Sequence, residues 1–146
     1  MTTCFEVEID AGVAHLRLNR PDQLNTMNAE FWTELPEIVD GIDRDASARV
    51  IVISSTGKHF SAGMDLSVFS GEGGLLGDSG VSEIGRQRGH LWTLVQKLQD
   101  SFTSLERARV PVLTAVQGGC IGGAVDMVCA ADMRYASADA FFCIQE

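Results

Sequence analysis

Two short runs, Val50 to Ile53 and Val110 to Val116, are almost wholly apolar and rich in β-branched residues. Ser54-Ser55 bounds the first, and Pro111 stands at the start of the second. Apolar residues at nearly every position, rather than at alternate ones, predict strands buried on both faces, the pattern of parallel strands lying under helices. Between them, from Val81 to about Arg107, Ile84, Leu91, Val95, Leu98, Phe102 and Leu105 outline one long amphipathic helix. Strand and helix alternating in this way imply an α/β layer architecture.

The flanking segments agree. Phe5 to Ile9 alternates apolar and acidic residues, Asp10-Ala11-Gly12 forms a turn, and Ala14, Leu16 and Leu18 mark one face of a returning strand. This is the pattern of a β-hairpin with one buried side. A helix follows from Asn28, whose side chain can cap it, with Glu30 in its first turn and Phe31, Leu35, Ile38 and Ile42 on one face. Pro36 falls inside that helix, removes a donor and is expected to kink it. Beyond the second apolar run, Gly118 to Gly123 forms a glycine-rich turn, Ala124 to Ala131 suits a short buried helix, and Met133 to Tyr135 and Ala140 to Ile144 are further strands. A glycine-dense loop from Gly71 to Gly80 is expected to be mobile. No repeat or interdomain linker interrupts the 146 residues, so residues 1–146 are read as one domain.

Composition narrows the function. With 45% hydrophobic and 21% charged residues the chain is an ordinary globular domain, and no apolar run reaches the length of about 18 residues that a membrane-spanning helix needs. A net charge of −9 argues against general affinity for nucleic acid or anionic membranes. Cys4, Cys120, Cys129 and Cys143 form no CxxC pair, and three of them sit in apolar sequence. Buried free thiols and a cytoplasmic location are expected, and no metal site, since His15, His59 and His90 are scattered. The first ten residues lack the basic start and apolar stretch of a secretory signal.

Two glycine-containing segments each follow an expected buried strand: His59-Phe60-Ser61-Ala62-Gly63-Met64-Asp65-Leu66 and Gly118-Gly119-Cys120-Ile121-Gly122-Gly123. Ligands gather at the carboxyl ends of strands in open α/β sheets. Gly123 is expected at a helix N-terminus with a free N–H, and a second donor from near Met64 would complete an oxyanion hole. The plain alternative is that these glycines only let the turns close. Asp126, in the first turn of the expected helix, is either a functional carboxylate or a complement to the helix dipole. Glu146, after Phe141, Phe142 and Ile144, is either a carboxyl with a raised pKa or a charge where the chain meets water. Other motifs fail. Gly77-Asp78-Ser79-Gly80 lacks any trypsin-like context, Gly57-Lys58 lacks the rest of a P-loop, Gly119 to Gly123 is not GxGxxG, and Phe60 to Gly63 is not GxSxG.

Taken together, Leu18-Asn19-Arg20-Pro21 with Leu24-Asn25, then Phe60 to Leu66, then Gly118 to Gly123 resemble the crotonase (enoyl-CoA hydratase/isomerase) family, in the right order and over essentially the whole chain. Asp126 within Gly-Gly-Ala-Val-Asp and Asp139-Ala140-Phe141-Phe142 ending in Glu146 are most similar to the Δ3,5-Δ2,4-dienoyl-CoA isomerase branch, the common hydratase pattern having glutamate where Asp126 stands. The resemblance implies a crotonase-like stack of ββα units, of which residues 1–146 form an N-terminal core without the C-terminal helical part. It implies homotrimers or pairs of trimers. It also implies an acyl-CoA thioester as substrate, coenzyme A being part of that substrate and no separate cofactor needed. The Met64 and Gly123 amides would hold the thioester oxygen, and Ala62, Gly63, Met64, Asp65, Leu66, Gly122 and Gly123 would line the site. Asp126 and Glu146, twenty residues apart, match the family's two acidic positions. Glu146 would move a proton, with a further aspartate beyond the chain end as its partner, and Asp126 would orient or polarise. Arg20 and Lys58 are candidates for the coenzyme A phosphates, or ordinary surface charges. A hydratase, or a catalytically silent CoA-binding module, are the alternatives.

Overall fold

The computed structural model describes residues 2–68 and 83–145. The Gly71–Gly80 loop, Val81 and Glu146 lie outside the described residues. Strands β1 (Phe5–Asp10) and β2 (Val13–Leu18) form the expected antiparallel hairpin. Helix α1 (Phe31–Asp45), β3 (Val50–Ser55), α2 (Ile84–Arg107) and β4 (Val112–Val116) follow, then β5 (Gly119–Ile121), α3 (Gly123–Cys129), β6 (Met133–Ala136) and β7 (Phe141–Cys143). The main sheet has the order β1-β2-β3-β4-β6, all parallel beyond the hairpin, and β5 pairs with β7 in parallel as a second, two-stranded sheet. The chain thus runs strand, strand, helix repeatedly, as β1-β2-α1 and again as β4-β5-α3.

The core lies between one face of the main sheet and the three helices. Leu16, Ile51, Ile53 and Val112 point inward from the sheet onto Phe31, Leu35, Val39, Leu105 and Met127. Burying such side chains contributes about 1.5–3 kcal/mol each. The expectation that Val50–Ile53 is buried on both faces is corrected here. Ile51 and Ile53 are fully buried, whereas Val50 and Val52 are only half-buried, because all three helices pack on the opposite face. The hairpin's buried side is also partial, for Val7 and Ile9 on the edge strand are 38% and 45% exposed.

Helix α1 starts at Phe31 rather than at Asn28, and Asn28 Oδ1 accepts the Phe31 N–H at 3.1 Å. The helix continues through Pro36. Proline has no N–H to offer the carbonyl four residues earlier, that of Trp32. The vacant acceptor is taken by Ser101 Oγ of α2 at 2.9 Å, a buried bond that fastens the two helices.

Three further expectations change. Gly118–Gly123 is not only a turn, since it contains β5. Cys4 and Cys120 are buried free thiols, but Cys129 and Cys143 are exposed. Strands β6 and β7 are exposed along their length, so Phe141, Phe142 and Ile144 do not form the dry neighbourhood expected before Glu146. Among the described residues no helix is long and apolar enough to cross a membrane.

Candidate functional site

Asn25 carries the first step of the construction. It adopts a left-handed backbone (φ 52°) and is almost fully buried. Its side-chain oxygen accepts the Arg20 N–H at 2.8 Å, while Nδ2 donates to the carbonyls of Thr56 at 2.7 Å and His59 at 3.4 Å. This amide pins the loop after β2 to the loop after β3, which gives the Leu24-Asn25 pair of the sequence its structural meaning. The Asn25 carbonyl in turn accepts Ser61 Oγ at 2.8 Å, and Ser61 Oγ accepts the Gly63 N–H at 3.1 Å. Ser61 is therefore a buried, fully engaged hydroxyl holding a turn, in keeping with its failure to match a nucleophile motif.

Met27 completes the frame. Its N–H donates to Gly63 O at 2.8 Å and its carbonyl accepts the Asp65 N–H at 3.1 Å. In extended chain, successive residues direct their amides to opposite sides. With the groups of Gly63 and Asp65 turned to Met27, the Met64 N–H faces the other way, and it finds no acceptor among the described residues. On that other side stands the second segment. Gly63 has φ +85°, and a Cβ there would lie 2.5 Å from Ile121 O and 3.4 Å from Gly123 N. Only glycine allows this approach. Gly123 opens α3, and its N–H likewise finds no acceptor among the described residues, whereas Gly122 donates to Cys143 O at 2.9 Å.

Met64 and Gly123 both line one cavity of about 1230 Å³. Of the residues expected in the site, Ala62, Met64, Asp65, Leu66, Gly122, Gly123 and Asp126 line it, while Gly63 is buried behind the wall. The Asp126 carboxylate is exposed on the cavity side of α3 with no hydrogen bond among the described residues. Glu146 is outside the described residues, and Gln145 before it reaches the cavity.

The opposite wall went unnoticed in the sequence. Trp32 of α1 with Val95, Leu98 and Phe102 of α2 supplies an apolar side, the Trp32 and Phe102 rings lying 5.2 Å apart. These residues read as ordinary core positions on helical stripes, and nothing local distinguishes a stripe facing a cavity from one facing a core. They also revise the expectation for α2. Its apolar stripe is buried only toward its C-terminal end, and Ile84, Leu91 and Val95 are exposed.

At the rim, Asp65 is held well below the usual carboxylate range, first by the Ser67 hydroxyl (2.7 Å) and amide (3.0 Å), then by the Thr26 hydroxyl (2.8 Å). Arg20 contributes less at 3.7 Å. The Arg20 guanidinium also donates to Thr26 O at 2.6 Å, so this cation is tied into the rim rather than held free for a phosphate. Lys58 is exposed, and its ammonium has no partner among the described residues.

Comparison with known proteins identifies the family. Residues 8–146 match the family model described as enoyl-CoA hydratase/isomerase. The chain is 44% identical over 134 residues to the mitochondrial Δ3,5-Δ2,4-dienoyl-CoA isomerase of Mus musculus, spanning 92% of this chain and 40% of that protein. It is 39% identical over 137 residues to the peroxisomal enzyme of the same name from Arabidopsis thaliana, spanning 94% of this chain and 49% of that one. Among solved structures, a Thermobifida fusca YX protein assigned as an enoyl-CoA hydratase, in complex with acetoacetyl-CoA, superposes with a TM-score of 0.81 at 30% identity, covering 98% of this chain and 54% of that one. The chain thus spans about 40–50% of the length of these curated relatives. With a repeating strand–strand–helix order and a family match over nearly all its residues, the chain belongs to the enoyl-CoA hydratase/isomerase (crotonase) family.

Proposed function

We propose that the cavity binds an acyl-CoA thioester with its carbonyl oxygen between the Met64 and Gly123 amides, and that the whole protein shifts double bonds in dienoyl-CoA thioesters through an enolate. The observation that carries this reading is the pair of unpartnered N–H groups in the wall of one cavity, brought together by the glycine approach at Gly63. A proton beside a thioester carbonyl is weakly acidic, so its removal requires stabilisation of the enolate oxygen. Preorganised donors at such an oxygen are worth roughly 3–4 kcal/mol each. The apolar wall of Trp32, Leu98 and Phe102 suits an acyl chain and excludes water from the reacting carbons.

Isomerisation requires one group to take a proton and another to return it at a different carbon, and positioned groups of this kind add about 10²–10⁴-fold in rate. In this reading Glu146 transfers the proton, an aspartate in the following segment is its partner, and Asp126 orients the substrate from α3. Asp126 is one methylene shorter than the glutamate of the hydratase pattern, which disfavours two carboxylates converging on one water. Similarity to the mouse and Arabidopsis isomerases supports the same choice. Lys58, unpaired beside the first glycine segment, is the candidate for a coenzyme A phosphate. Homotrimers or pairs of trimers and a cytoplasmic location belong to the proposal. Sedimentation and cell fractionation test them, the latter against the mitochondrial and peroxisomal compartments in the relatives' names.

The deciding experiment incubates the full-length protein with a 3,5-dienoyl-CoA and, separately, a 2-enoyl-CoA. Appearance of the conjugated 2,4-diene absorbance with the first supports the proposal. Water addition to the second without diene shift replaces it with a hydratase, and binding without turnover of either replaces it with a silent CoA-binding module.

A further inference from the structure

The two amide-bearing segments are zipped together by a short parallel ladder. Phe60 N–H donates to Gln117 O at 2.8 Å, Ser61 N–H to Gly119 O at 3.2 Å, and Ile121 N–H to Ser61 O at 3.1 Å. One rung is not backbone. The Gly119 N–H donates to Nδ1 of His59 at 2.9 Å. A ring nitrogen that accepts carries no proton, so the imidazole is neutral with its hydrogen on Nε2. Gly118 lies so close to the ring that a Cβ there would fall 2.8 Å from Nδ1, and Phe141 of β7 meets the ring edge-on at 6.2 Å. Phe141 N–H also donates to Gly118 O at 2.9 Å. His59 therefore stands where both glycine segments and β7 meet.

We infer that His59 is a positioning residue: its ring nitrogen, by accepting the Gly119 N–H, holds Gly119 in the register that sets Gly123 beside Met64, and loss of that acceptor weakens the oxyanion site. The inference rests on the function proposed above. The Asp139 carboxylate, preceding β7, interacts electrostatically with the ring. The contacts from the other segments, Asn25 and Ser55 on the His59 carbonyl and the glycines on the ring, are uncharged.

Three variants of the full-length protein test this. In His59→Asn the amide oxygen occupies roughly the place of Nδ1 and accepts in its stead. In His59→Gln the oxygen reaches toward the place of Nε2 instead, and His59→Ala supplies nothing. The expected result is kcat within about threefold of the parent for the asparagine variant. The glutamine and alanine variants should lose on the order of 10–100-fold in kcat with KM little changed, as weakened oxyanion donation requires. Circular dichroism confirms folding in each case. An asparagine variant as slow as alanine, or glutamine and alanine variants as fast as the parent, overturns the inference and leaves the proposed function standing. A parent protein with no thioester chemistry overturns both.

Discussion

Replacing Ser101 by alanine removes the hydroxyl that donates to the Trp32 carbonyl, an acceptor that Pro36 cannot serve as i+4 partner. Ser101 is 1% exposed, so water does not substitute freely for the lost hydroxyl. A buried acceptor stripped of its donor costs about 1–3 kcal/mol. Alanine regains a few tenths of a kcal/mol of helix propensity over serine, so a net destabilisation of about 1–2 kcal/mol is expected. The second bond of Ser101 Oγ, to Lys97 O at 3.3 Å, is long and follows the local back-bonding common to helical serines, so its loss adds little. Pro36→Ala provides the internal control by restoring an N–H that can reach Trp32 O along the helix. In that background Ser101→Ala should cost about 1 kcal/mol less. Urea unfolding of the four proteins, fitted with a common m-value, measures both numbers. If Ser101→Ala costs the same in both backgrounds to within about 0.4 kcal/mol, the hydroxyl does not replace the proline's missing donor and the reasoning is wrong.

Gly63→Ala should leave a folded protein but lower kcat on the order of 100-fold in the dienoyl-CoA assay, because the new Cβ would lie 2.5 Å from Ile121 O and push the second amide away. Asp65→Asn should flatten the acid side of the stability profile. The folded-state pKa of Asp65 is lowered, chiefly by the Ser67 hydroxyl, so its contribution is present above the unfolded carboxylate pKa of about 3.9 and disappears as pH falls through the lower folded value. Urea unfolding across that range checks it. Cys129, exposed on the cavity wall, should be alkylated by iodoacetamide and protected by a bound acyl-CoA. Cys120, buried and with its thiol pushed up to about 12, should stay unmodified in the native protein, as peptide mass mapping would show.

Read locally, the chain declared a good deal. The apolar runs, the helical stripes and the two glycine segments became β3, β4, α1, α2, β5 and α3 close to where their periodicities put them. That legibility has a physical basis, since side-chain period and turn chemistry are properties of neighbouring residues. Met64 and Gly123 could be proposed from the sequence because each lies in a glycine segment after an expected buried strand.

Contacts between remote residues were decided by the folded chain alone. Arg20 looked free for a phosphate until folding laid it beside Thr26 and Asp65. The proline of α1 looked like a defect until α2 brought Ser101 to the vacated carbonyl, seventy positions along the chain from Trp32 to within a residue. Whether Trp32 and Phe102 face a core or a cavity, whether Val52 is covered, and which acceptor meets the Gly119 amide were all absent from local pattern. Sequence determined which elements form and what chemistry their turns could offer. Tertiary structure determined which of those groups are satisfied and which are left open, because satisfaction of a donor depends on what arrives from elsewhere in the chain.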